Sequence, residues 1–347
     1  MRPAILLVPL FITGCAATQS AVSPLPTATV TAKVETQPVA TLDDAADDPA
    51  IWRNAANPAE SLVIGTDKRA GIHVYDLSGR QMSSTPSPRL NNVDLRDNVM
   101  IGRQAGVLVA ASDRQDIVNA RMALFQLDTS AKALVPLASI AVGGGEAYGM
   151  CLWQRASDKA LFGFLILKDG RIDQVAIDLA GVPSGKVVRR MKLGTQSEGC
   201  VVDDRTGILY VAEEDVGLWT FDADPGASGK ATAVAKADGQ ELVADVEGLA
   251  LAPIGTKGGY LLVSSQGDNA YAVYRLLDMA FIGRFRLGVG VVDGVQETDG
   301  IELAIGDFGP QFPRGLFVAQ DGDNAPDTQN FKLASWADIS AALDLAD

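Results

Sequence analysis

The sequence predicts an all-β protein folded as a six-bladed β-propeller. Three observations point there: 35 glycines in 347 residues, a unit that returns roughly every fifty residues, and several short apolar runs inside each unit. Hydrophobic residues make up 47% of the chain and charged residues 21%, a folded composition rather than a disordered one.

Each unit opens on an acidic or amide residue that leads into a short apolar strand. The openings are Asp47-Asp48-Pro49, Asn91-Asn92-Val93, Glu146-Ala147-Tyr148-Gly149, Glu198-Gly199-Cys200, Glu247-Gly248-Leu249 and Asp299-Gly300-Ile301, and their first residues lie 44, 55, 52, 49 and 52 positions apart. A second apolar strand follows and ends in a polar cluster: LVIGTDK (62–68), VLVAASDR (107–114), FGFLILKDG (162–170), LYVAEED (209–215), YLLVSSQGD (260–268) and LFVAQDGDN (316–324). Such runs, bounded by Gly and Asp, suit strands buried between neighbouring blades. Third strands read IHVYDL, MALFQL, RIDQVAI, GLWTF, YAVYRL and NFKLASW. A unit of this length with several strands is a propeller blade. The only helix signature stands near the C-terminus.

The N-terminus reads as a targeting segment. Arg2 supplies a positive start, and residues 4–12 form an apolar stretch too short to span a bilayer. Ile12-Thr13-Gly14-Cys15 resembles a bacterial lipoprotein box, which implies cleavage before Cys15 and lipidation of its thiol. An ordinary signal peptide cut near Ala17 is the other reading. Alanines rather than Asp after the cysteine imply outer-membrane sorting. The expected location is therefore an exported outer-membrane lipoprotein, on the periplasmic or outer face, or a secreted protein. Residues 16–40, rich in Thr, Ala, Pro and Val, are expected to be a disordered tether, and residues 41–347 the propeller. No other stretch approaches transmembrane length, so a lipid anchor is the only membrane contact expected. Cys151 and Cys200 either pair, as an oxidising compartment permits, or remain buried free thiols; the sequence leaves both open.

Forty-three acidic residues against 29 basic ones give a formal net charge of -14, which argues against a nucleic-acid partner. The positions of the charges say more. Equivalent positions of the blades converge on one end of a propeller's channel. The polar clusters ending the second strands then form a ring carrying Lys68, Arg114 and Lys168 from blades one to three, and Glu214, Gln266 and Asp321 from blades four to six. The opening residues Asp47, Asn91, Glu146, Glu198, Glu247 and Asp299, with Asp245, form a second ring. Carboxylates sharing one space must protonate or bind cations. Oxygen donors without His or Cys select hard cations, and calcium suits flexible coordination. The single histidine, His73, sits in an alternating strand and reads as a plain strand residue. The basic trio opposite calls for an anion of high charge. One His also removes a Ser-His-Asp triad and a histidine phosphatase, and Cys151 and Arg155 stand too close for a cysteine phosphatase loop. Metal-activated water is the chemistry that remains.

The segments DDPAIW, RLNNVDLR, SEGCVVDD, LYVAEED, DVEGLAL, GYLLVSSQGDNAYAVYR, TDGIE and GPQFPRGLFVAQDGDN resemble the β-propeller phytases, across all six blades. The resemblance implies a calcium-dependent phosphomonoesterase that releases phosphate from phytate (myo-inositol hexakisphosphate), bound as its calcium complex. It implies that Asp47, Glu198, Glu214, Asp245, Glu247, Gln266 and Asp299, joined by Asn91, hold catalytic calcium. Lys68, Arg114, Tyr148 and Lys168 would bind substrate phosphates, with Lys68 and Arg114 taking part in catalysis beside Asp47, Glu198, Glu214 and Glu247. Asp48, Asp321 and Asn324, with the Val93 carbonyl, would form a stabilising calcium site under the channel. A closed propeller needs no partner, so a monomer is expected. Two alternatives stay open at this level: a non-catalytic, calcium-stabilised propeller lipoprotein serving as a binding or assembly module, and a calcium-dependent lactonase or esterase on a similar scaffold.

Overall fold

The computed structural model describes residues 22–87 and 89–346, so Cys15 and the leader lie outside the described residues. Six sheets are arranged around a channel, one per predicted blade. The innermost strands are Ala46–Trp52, Leu90–Ile101, Ala147–Gln154, Ser197–Asp203, Val246–Ile254 and Ile301–Ile305. The second strands are Leu62–Asp67, Gln104–Asp113, Leu161–Leu167, Ile208–Glu213, Gly258–Ser265 and Gly315–Asp321. Third strands run over Gly71–Asp76, Asn119–Asp128, Arg171–Asp178, Gly217–Asp222, Ala270–Arg275 and Asn330–Ser335, and one helix, Trp336–Ala342, follows the last.

The second strands are apolar throughout because both of their faces are covered. In Leu161–Leu167, Phe162, Phe164 and Ile166 pack towards blade four, beside Leu209 and Val211. Their alternates Leu161, Leu165 and Leu167 pack towards blade two, beside Leu108 and Met122. A strand repeats every second residue, so one run fills two inter-blade cores. Six such clusters, one between each pair of neighbouring blades, make up the hydrophobic core.

Each of the first five blades also has a fourth, outer strand that the sequence pattern does not announce: Gln81–Pro86, Ala133–Gly144, Ser184–Lys192, Thr232–Lys236 and Ala280–Gly288. Most are edge strands with few buried side chains, so they lack an apolar signal. Blade six receives its fourth strand from the other end of the chain. Val34–Glu35 pairs antiparallel with Leu333 and Lys332, and the Thr36 hydroxyl accepts the Phe331 N–H at 3.0 Å. This contact closes the circle. Thr27–Thr31 adds a parallel fifth strand to blade five, from Thr27 opposite Arg284 to Thr31 opposite Gly288. The expected disordered tether over 16–40 is thus incorrect for its described part. Its β-branched residues fit an existing sheet edge, and Val30, Ala32 and Val39 are buried there.

A disulfide joins Cys151 to Cys200 with Cα atoms 5.8 Å apart, linking the innermost strands of blades three and four across 49 positions of chain. Closing a loop of that length restricts the unfolded chain by about 4 kcal/mol on the entropic account. The C151S/C200S double variant is expected to lose about 2–4 kcal/mol of unfolding free energy in urea. An unchanged midpoint would show that the bond adds nothing to the fold.

Candidate active site

The site is built at the ends of the innermost strands, where a bulge repeats around the channel. Strand pairing is irregular between Ala46 and Pro49, Leu90 and Val93, Ala147 and Met150, Ser197 and Cys200, and Val246 and Leu249. Each bulge sets two residues outside the ladder, and a bulge re-aims a side chain. The first of each pair is Asp47, Asn91, Tyr148, Glu198 and Glu247; in blade six Asp299 precedes the strand at the same place. Tyr148, not Glu146, therefore occupies the ring position of blade three. Glu146 stands one residue before the strand and pairs with Arg114.

The residue after the ring position is glycine in blades three to six, for a steric reason, and Asp48 or Asn92 in blades one and two. A Cβ on Gly149 would lie 1.8 Å from the Glu198 carbonyl oxygen, and one on Gly199 would lie 2.1 Å from that of Glu247. Gly248 and Gly300 meet the Asp299 and Asp47 carbonyl oxygens in the same way, each at 2.7 Å, and donate their N–H groups to them at 2.7 and 3.1 Å. Blades three to six thus each press a glycine against the backbone of the next blade's acidic residue. The spacing between carboxylates is fixed by backbone contact.

On the acidic side, Glu198, Glu214 and Glu247 each bring a carboxylate oxygen within 4.8 Å of the other two, and all three are buried. Glu214 Oε1 and Glu247 Oε2 accept no hydrogen bond. Burial, then Asp47 and Asp299, push the Glu198 pKa well above the carboxylate range; burial, then Glu198 and Glu214, do the same to Glu247. Burial also raises Glu214 and Asp245, with Asp215 adding to the latter. Asp299 is pushed up to about 7 by burial and Asp47, against the pull of Lys68. The Gln266 amide donates to Asp299 Oδ1 at 2.7 Å, and Gln196, which the sequence reading did not single out, donates to Glu214 Oε2 at 2.7 Å.

On the basic side, the Lys68 ammonium lies 2.7 Å from Asp44, 2.9 Å from Asp47 and 2.8 Å from Asp299. Burial opposes its charge, but Asp47 and Asp299 outweigh burial and hold its pKa far above the ordinary value. Arg114 donates to Glu146 and to Asn91 Oδ1, both at 2.6 Å, and the Asn91 amide donates to Glu198 Oε1 at 2.6 Å. Asn91 thereby bridges the two halves. Arg114 and Lys168 both lie over the Tyr148 ring, at 5.0 and 5.2 Å from its centroid. Burial and the three glutamates push the Tyr148 hydroxyl pKa far up, so it stays a hydrogen-bond donor.

The expected stabilising group does not assemble. Asp48 accepts the Val93 N–H at 2.9 Å and lines a small cavity of about 20 Å³ with Asp94 and Glu302. Burial and Asp94 raise Glu302 to about 8. Asp321 and Asn324 instead surround the fully buried Lys332 ammonium, at 3.3 and 2.9 Å, with Glu35 and Asp293. Their space already holds a cation. Side chains alternate along Gly315–Asp321, so Gln320 lines the main cavity in place of Asp321, which leaves the predicted ring.

The main cavity, about 860 Å³, is lined by Lys68, Tyr148, Glu214, Asp245, Glu247, Gln266 and Asp299 among others. The Phytase family model matches residues 3–347. A 3-phytase of Bacillus subtilis (strain 168) is 40% identical over 326 residues, covering 90% of this chain and 85% of that protein. Among solved structures, a mutant α-L-arabinofuranosidase of Fusarium graminearum with an iminosugar inhibitor has a TM-score of 0.56 at 11% identity, over 88% of this chain and 98% of that one. At that identity the likeness is of fold alone.

The glycine contacts yield a test. Gly149→Ala drives a methyl group into the Glu198 carbonyl and is expected to cost about 2 kcal/mol or more in urea unfolding. Gly181→Ala, which meets nothing within 4 Å, is the control and should stay within about 0.5 kcal/mol of wild type. Equal stability of the two variants would contradict the contact.

Proposed function

This chain belongs to the phytase family and hydrolyses phytate, and we propose that it does so with calcium ions held by the carboxylates on the acidic side of the cavity. The non-catalytic module and the lactonase fall away with the family assignment. The observation that supports calcium is the trio Glu198, Glu214 and Glu247, buried within 4.8 Å of one another with oxygens left unpartnered. Buried acceptors without donors are costly, and a hard cation satisfies them. Asp47, Asp245 and Asp299 extend the same oxygen-only set, which fits calcium and offers nothing to a softer metal. When bound, calcium neutralises phosphate charge and lowers the pKa of coordinated water.

The chain's own groups do the remaining work. Lys168 forms no ion pair among the described residues, and with Arg114 it offers charge-assisted donors to substrate phosphate. Tyr148 props both cations and adds its hydroxyl. Lys68 keeps its proton because three carboxylates surround it, so it brings positive charge to the meeting point of the two halves. A chain of charge -14 can hold a polyanion because Lys68, Arg114 and Lys168 are gathered on blades one to three, away from the carboxylate trio. The same reading includes export by the 1–15 leader, with Cys15 as the lipid attachment point.

The direct test is phosphate release from phytate with calcium and with a chelator. Wild type should lose at least about a hundredfold of its rate without calcium. Glu247→Gln should lose a similar factor while remaining folded, and Lys168→Ala should raise KM about tenfold. Release that ignores the chelator would overturn the calcium reading.

The raised carboxyl groups also fix a sign. Asp299 titrates near 7 in the folded chain and near 3.8 in the unfolded one, so the folded state binds more protons between those values. Metal-free protein should therefore be most stable below about pH 4 as far as this group is concerned, and should lose stability as pH rises to about 7. The expected fall in melting temperature across that window is about 5 °C or more, largely removed by added calcium. A melting temperature that rises over the window in chelator would contradict the assignment.

A further inference from the structure

The lining of the main cavity is not confined to the ring residues: with Glu214, Glu247 and Asp299 it includes Gln266, Arg286 and Gln296. Arg286 stands near the end of Ala280–Gly288, opposite Thr29 of the N-terminal strand. Two cations line this cavity, Lys68 and Arg286, and their situations differ. Lys68 is committed to Asp44, Asp47 and Asp299. The Arg286 guanidinium makes no hydrogen bond or ion pair with a described residue, and its Nε is buried without an acceptor.

A guanidinium that lines a cavity without an acceptor among the described residues has donors to offer a ligand there. Arginine presents parallel donors that match the oxygens of a phosphate two at a time. The cavity, about 860 Å³, supplies room for a ligand longer than a single phosphate group.

We propose that Arg286 is a substrate-binding residue that takes a phosphate of the inositol ring remote from the one being hydrolysed, on the side facing blades five and six. The inference rests on the phytase reading of this cavity and adds to it a selectivity device. Arg114 and Lys168 grip the substrate from blades two and three, and Arg286 grips it from the side of blades five and six. Esters with one phosphate cannot reach both sides. Arg286 therefore favours highly phosphorylated rings over simple monoesters through binding rather than through the chemical step.

The test compares the full chain with Arg286→Gln and Arg286→Lys, in calcium, on phytate and on phenyl phosphate. Arg286→Gln is expected to raise KM for phytate about tenfold with kcat held within about twofold. The ratio of kcat/KM for phytate to that for phenyl phosphate should fall by the same factor, and Arg286→Lys should recover part of it. An unchanged KM for phytate, or an unchanged ratio, would overturn the proposal. Calorimetric binding of the non-hydrolysable hexasulfate ester of myo-inositol keeps it separate from the catalytic reading. Arg286→Gln should bind this probe about tenfold more weakly than wild type whatever the turnover, and equal affinities would refute the role of Arg286 alone.

Discussion

Repulsion among buried carboxylates is the constraint on which the rest of this structure depends. Glu198, Glu214 and Glu247 meet within 4.8 Å of one another, with Asp47, Asp245 and Asp299 close by. Left to themselves such groups take up protons, and their raised pKa values express that tendency. Side chains free to move would simply separate. Here they cannot, because in blades three to six the glycine beside the ring residue packs on the backbone of the next blade, and six inter-blade cores hold the blades in place. The hydrophobic effect and close packing of the propeller hold together a charge arrangement that is unfavourable without a cation.

The opposite half of the site answers the same constraint differently. Lys68 is an internal counterion that joins Asp47 and Asp299, and Arg114 is tied to Glu198 through Asn91. At the edge of blade six, Lys332 neutralises Asp321, Asp293 and Glu35. That contact also anchors the strand that closes the circle. Lysine thus satisfies the carboxylates at Lys332 and at Lys68, while Glu198, Glu214 and Glu247 have no lysine or arginine ion pair among the described residues.

Much of this was legible in the sequence, for a physical reason. Inner and second strands are buried on both faces, so they carry apolar runs, and the acidic residues mark where those runs begin and end. The polar fourth strands had no such signal. The N-terminal strands were misread as a tether because their pairing is with residues some 250 positions away, as in Thr27 opposite Arg284, and composition does not report a remote partner. In blade three the bulge carries Tyr148 where the acidic marker suggested Glu146. In blade six a step of one residue separates Gln320, which lines the cavity, from Asp321, which faces Lys332. Arg286 lies on an outer strand, and only the folded sheet brings it to the cavity.

If calcium completes the acidic half of the site, it does so in exchange for protons. Calorimetric titration of the metal-free chain with calcium near pH 6, repeated in two buffers of different ionisation enthalpy, counts those protons directly. With Asp299 near 7 and Glu198 and Glu247 also raised, calcium binding should release protons, and the measured heat should differ between the buffers. Heats that are the same in both buffers would mean that no proton leaves, and that the carboxylate cluster is not where calcium binds.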